Sequence, residues 1–167
     1  MIRSPLSRGF SLVEVLIYLG VFLIIVTSSV GFVLSLDQLL DEYRVETALY
    51  RSGTQVMEHM LVTIRQGDQV NQYGTIQDSA ADGRLLVANQ ASTTAMIKSG
   101  DDLLLEVNGI DYGSLLPNTV SVSGFTVHHY PRTEGEFVRV ILELTATIDT
   151  TVRTQTYYGG AVVRGSE

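Results

Sequence analysis

Three small sets of residues in this sequence have types that invite chemistry. They are Glu14 beside an apolar run, the adjacent His128 and His129, and the adjacent Asp101 and Asp102. Imidazoles and carboxylates hold metals or move protons when two or three of them converge. His128 and His129 are neighbours in a stretch that alternates as a strand does. Their side chains therefore point to opposite faces and do not share an ion. Ser99-Gly100-Asp101-Asp102 reads as a turn, and the D-x-D-x-D-G pattern of a calcium loop is absent. His59 falls on the solvated side of a predicted helix. No G-x-S-x-G, H-E-x-x-H, P-loop or G-x-G-x-x-G occurs. With no Cys there is no thiolate ligand, nucleophile or disulfide. The reading is a non-enzyme with no catalytic, cofactor or metal residues.

Glu14 stands differently. From Val15 to Leu36 run 22 residues without a charge, and at ~1.5 Å per residue they reach roughly 33 Å, enough to cross a hydrocarbon core about 30 Å thick. Arg3 and Arg8 precede the run, while Asp37, Asp41 and Glu42 follow it. Basic flanks stay in the cytoplasm, so the N-terminus is expected inside and the body outside. A cleaved secretory signal is the rival, but its apolar stretch is about 7–15 residues and ends in small residues. Here Thr27-Ser28-Ser29 is followed by more Val, Phe and Leu. A carboxylate at the centre of a helix in lipid costs ~2.5–3.5 kcal/mol, so a lone acid in such a segment points to function. The other reading of Glu14 is structural: Ser11-x-x-Glu14 matches a capping box, and an acid suits a first helical turn.

The stretch Arg8-Gly9-Phe10-Ser11-Leu12-Val13-Glu14-Val15-Leu16-Ile17 resembles the class III signal of type IV pilins and type II secretion pseudopilins. The resemblance covers Arg8 to Leu34. It combines a basic-Gly-Phe junction, a Ser-Leu-hydrophobic-Glu continuation, one acid at a fixed offset and a spanning apolar run. It implies that a prepilin peptidase removes residues 1–9 by cutting after Gly9 and then methylates Phe10. It implies further that Glu14 neutralises the terminal amine of Phe10 during subunit assembly. Gly9 would suit the peptidase because a side chain there crowds the scissile bond. Other pilin or pseudopilin subunits, an inner-membrane assembly platform and the lipid bilayer are the implied partners.

The elements that must position these residues follow from the rest of the pattern. No Pro interrupts Phe10 to Arg65, and Gly67 is the first convincing stop. A helix of that length spans ~84 Å, as the extended N-terminal helix of pilins does. Residues 10–36 form its membrane half and 37–66 its outer half. Leu36, Leu40, Tyr43, Thr47, Tyr50, Thr54, Met57, Leu61 and Ile64 are expected on one face, packed on a sheet; Thr47 and Thr54 make a poor coiled-coil seam. Gly20 and Gly31 are either weak points or close-packing sites.

Residues 67–167 read as a β-rich head. Expected strands are Arg84–Ala88, Ala95–Lys98, Leu103–Val107, Val120–Tyr130, Phe137–Ile148, Val152–Tyr158 and Ala161–Arg164. Asn108-Gly109 reads as a turn, and Gly124 as a bulge where the apolar parity switches. Tyr157-Tyr158-Gly159-Gly160 reads as a contact surface or as a strand end with a turn. The last three strands resemble the heads of minor pilins and of the J-type minor pseudopilin.

The fold class is α+β, pilin-like, with a long N-terminal helix on an antiparallel sheet. The expected function is a structural filament subunit, a minor pilin or pseudopilin. The rival class is a membrane-tethered binding module or enzyme. The sequence carries 11 Lys+Arg against 18 Asp+Glu, a net charge of −7, which gives no long-range attraction for nucleic acid.

Overall fold

A computed structural model describes residues 11–70, 83–132 and 135–163, with side chains at 131, 132 and 135 left aside. The expected leader, Gly9, Phe10 and Arg164 lie outside the described residues. The chain divides into two compact units, 1–40 and 41–167.

Helix α1 runs without a break from Leu12 to Gln66, through both Gly20 and Gly31. It stops where the sequence indicated. The Gly67 amide donates to the Thr63 and Ile64 carbonyls at 3.1 and 3.3 Å, and Arg65 sits in the last turn, where the helix dipole favours a cation.

The part of α1 beyond Leu40 packs on the head, though through a different face from the one expected. Val45, Leu49, Ser52, Gly53, Val56, Met57, Met60 and Ile64 are buried. Tyr43 and Tyr50 are 69% and 64% exposed, and Thr54 is exposed too. The expected face advanced by about 3.5 residues per turn, whereas Val45, Leu49, Gly53, Val56, Met60 and Ile64 advance by roughly 3.8. The two stripes meet only at the C-terminal end, at Met57 and Ile64. The true stripe runs through Gly53 because a Cβ there would overlap the ring of Tyr157.

The head is antiparallel as expected, and its described residues form eight strands in two sheets. The first contains β1 (Gln69–Val70), β2 (Arg84–Ala88), β3 (Thr93–Ser99), β4 (Asp102–Val107) and β5 (Ile110–Ser114) in that order. The second contains β6 (Val120–Arg132), β7 (Gly135–Ile148) and β8 (Thr151–Val163). The break has a cause in β5, where Ile110, Asp111, Tyr112 and Ser114 are all exposed. That strand offers no buried face on which a further strand could continue the core. The chain turns instead, and the Val120 amide bonds back to the Pro117 carbonyl at 2.9 Å.

Asn108 and Gly109 form the expected turn, with φ of 53° and 77°, the paired positive values of a two-residue hairpin. The β6–β7 register shifts between Val122 and Gly124, so the bulge lies where parity predicted it. Strand β8 continues through Gly159-Gly160 rather than splitting into two. A Cβ on Gly159 would come within 2.5 Å of the Met57 sulfur, and one on Gly160 within 2.7 Å of the Phe137 ring. The glycines admit neighbours on both faces of a continuous strand. Phe125, Leu142, Leu144, Leu85, Met96 and Leu103 fill the core with Met60 and Ile64.

Candidate assembly site in the first turn of the helix

Ser11 precedes the helix, and its carbonyl accepts the first helical bond from the Val15 amide at 3.2 Å. This places Glu14 in the first turn, where the free amides of a helix end favour negative charge. The capping-box geometry is not adopted. The Glu14 carboxylate points one turn forward and accepts from the Tyr18 hydroxyl at 3.3 Å. Among the described residues no hydrogen bond joins it to Ser11.

The apolar run around this acid is exposed throughout. Every residue from Ser11 to Leu40 is exposed, including Phe22, Ile24 and Phe32 at 61–67%. This segment is long and apolar enough to cross a membrane. Three of its hydroxyl groups are satisfied along the helix. Thr27 donates to the Leu23 carbonyl, Ser29 to Ile25 at 2.7 Å and Ser35 to Gly31 at 3.0 Å. Such back-bonding removes the cost of a bare hydroxyl in hydrocarbon. A Cβ at Gly20 or Gly31 would meet nothing within 4 Å.

In the head, the two histidines fall on opposite faces of β6. His129 is buried and His128 is not. The His129 Nε2 atom lies 3.2 Å from Glu136 Oε2, within ion-pair range but outside hydrogen-bond geometry. The same Glu136 oxygen accepts the Val70 amide at 3.1 Å, which ties β1 to the second sheet. This link was missed, although the hairpin register places Glu136 diagonally across from His129. Asp101 and Asp102 serve their turn. The Asp101 carbonyl accepts the Val122 amide at 2.8 Å, and an Asp102 carboxylate oxygen accepts the Ser114 hydroxyl at 3.1 Å. No three His, Asp or Glu side chains converge on a metal position among the described residues.

Where β8 meets α1, burial pushes the Tyr157 phenol above its ordinary 10.0, and neighbouring Tyr50 adds to the shift. No known protein family, curated protein or solved structure matches the chain. Glu14 lies in the first turn of the exposed, apolar part of α1.

Proposed function

We propose that the chain is a structural subunit, a minor pilin or pseudopilin, of a type IV pilus or type II secretion-like filament. It is cut after Gly9 by a prepilin peptidase, methylated on Phe10, and held in the cytoplasmic membrane with its head outside until assembly. The observation that carries this reading is Glu14: a carboxylate in the first turn of the exposed, apolar part of α1, bonded to Tyr18.

Cleavage would release the Phe10 amine, whose ordinary pKa of ~7.7–8 makes it cationic. In a low-dielectric bundle, that amine of the same or a neighbouring subunit is the natural counter-charge for Glu14. Removing one member of such a pair strands the other at a cost of ~3–5 kcal/mol. Pairing of this kind sets the register of an incoming subunit.

Co-expression with a prepilin peptidase tests the reading. Intact-mass analysis should show loss of Met1–Gly9 and gain of one methyl group, and Gly9→Val should block both. A mature terminus near Thr27–Val30 would mark an ordinary secretory signal and end the proposal. Glu14→Ala and Glu14→Gln should still be inserted and cleaved. Both should crosslink poorly to the other subunits in a membrane that holds the assembly machinery. Normal incorporation of both would remove the charge-pairing role, and incorporation of Gln alone would assign Glu14 to helix capping.

A further inference from the structure

Strand β8 is the outer strand of its sheet. Its inner neighbour is β7, and among the described residues nothing pairs with its other side. The β7–β8 turn has two residues, Asp149 and Thr150, with Ile148 opposite Thr151. A two-residue turn makes its flanking pair a hydrogen-bonded one, and bonded pairs then recur at every second position. The odd-numbered residues of β8 therefore bond to β7. The amides and carbonyls of Val152, Thr154, Thr156, Tyr158, Gly160 and Val162 face outward.

Exposed edges normally carry Pro, lysines or bulges that prevent pairing. Strand β8 has none. It runs for 13 residues without Pro, Lys or a shift in register, and its only charged residue is Arg153. From Val152 to Thr156 every residue is exposed, so this part of the strand is open to solvent.

Beside this part of the edge, α1 and β8 leave a groove of about 220 Å³, lined by Glu42, Glu46, Leu49, Arg153, Thr154 and Gln155. Arg153 reaches Glu42 at 3.6 Å. Glu46 shares the groove with one cation against two acids, and among the described residues no ion pair to it is formed.

We propose that the outer edge of β8 receives an extended segment of a different polypeptide as a fourth strand. Backbone bonds to the even-numbered residues would hold it. Its outer face would carry β-branched or aromatic residues beside Val152, Thr154, Thr156 and Tyr158. Its inner face would place a Lys or Arg against Glu46. A second copy's β8 fits this requirement less well, since its single cation, Arg153, lies 3.6 Å from its own Glu42 and would have to leave it. The inference rests on the head and the part of α1 packed on it, and stands apart from the cleavage and assembly reading above.

The test uses the full chain in detergent and a fluorescent ten-residue peptide that alternates Thr and Val with one central Lys. Alone, the amides of Thr154, Thr156 and Tyr158 should exchange quickly with deuterium, while those of Gln155 and Tyr157 are protected. Saturating peptide should slow the first set at least about tenfold. Thr156→Pro removes an outward donor without touching the β7 ladder, and should weaken binding about tenfold with the melting temperature kept. Glu46→Lys should reverse the preference for the Lys peptide over its Glu counterpart, which a folding defect would not do. Slow exchange of the outward amides before peptide is added would mean that the chain covers its own edge, and would overturn the proposal. So would binding that leaves those amides fast, absence of binding, or protection that appears only as the chain dimerises.

Discussion

From Leu12 to Leu40, α1 leaves every residue exposed; from Asp41 to Gln66 it buries eight of them against the head. The backbone is the same regular helix in both parts. What differs is the solvent each part requires. The first part is exposed throughout and is long and apolar enough to cross a membrane. The second part has one apolar stripe and a sheet to receive it. Continuity of a helix therefore says little about the environment it occupies, and the distribution of apolar residues around it says nearly everything.

Paired substitutions sharpen this contrast. The largest difference is expected between two phenylalanines. Phe125 is fully buried and Phe22 is 61% exposed. Phe125→Ala should lower the unfolding free energy of the head by ~3–5 kcal/mol. Phe22→Ala should leave it within about 0.5 kcal/mol. Urea unfolding of the full chain in detergent, followed by tyrosine near-ultraviolet circular dichroism, measures both. Equal effects would break the division between the two parts.

Within the second part, the same logic separates two faces. Met60→Ala should cost ~2–5 kcal/mol, since Met60 is fully buried. Tyr43→Ala, on the face expected from the sequence, should change stability by less than about 0.5 kcal/mol. A larger loss at Tyr43 than at Met60 would restore the face read from the sequence.

The smallest effect concerns pH. The Tyr157 phenol is raised in the folded state by burial and by Tyr50, so the unfolded chain loses this proton first. Stability linked to Tyr157 is complete below the ordinary value of 10.0 and falls as pH rises through the folded value. Tyr157→Phe should flatten the alkaline branch of the stability curve. An unchanged slope would show that the ring is not desolvated by the helix.

How far the sequence was legible depends on how local each signal is. The stop at Gly67, the Asn108-Gly109 turn and the Gly124 bulge each rest on a few residues with few alternatives, and all were readable. The alternation in β6 and β7 was equally plain, because a period of two needs little length to show itself. The packing face of α1 was not readable in the same way. Tyr43 and Tyr50 make the expected face look apolar, whereas the true stripe passes through Ser52 and Gly53, and Gly53 lets Tyr157 approach. Small residues give a weak periodic signal, and their meaning depends on a strand about a hundred positions away in the chain. The split into two sheets was hidden for a similar reason, since the polar character of β5 decides it only once the core is known. At the candidate site, the position of Glu14 in the helix was legible. Its turn toward Tyr18, away from Ser11, was not, because both orientations suit the same residues.

The order of strands in each sheet is the order of strands in the chain. Every ladder is therefore between sequence neighbours, and little loop entropy stands between one pairing and the next. A chain emerging residue by residue from a narrow exit can zip its hairpins as they appear, without waiting for segments still inside. The long-range steps left are packing the two sheets together, as in the Val70–Glu136 bond, and docking the helix, whose second part has emerged before any strand. Fast, sequential closure keeps the strand edges bare for the shortest time, in a head that has no disulfide to correct an early mistake.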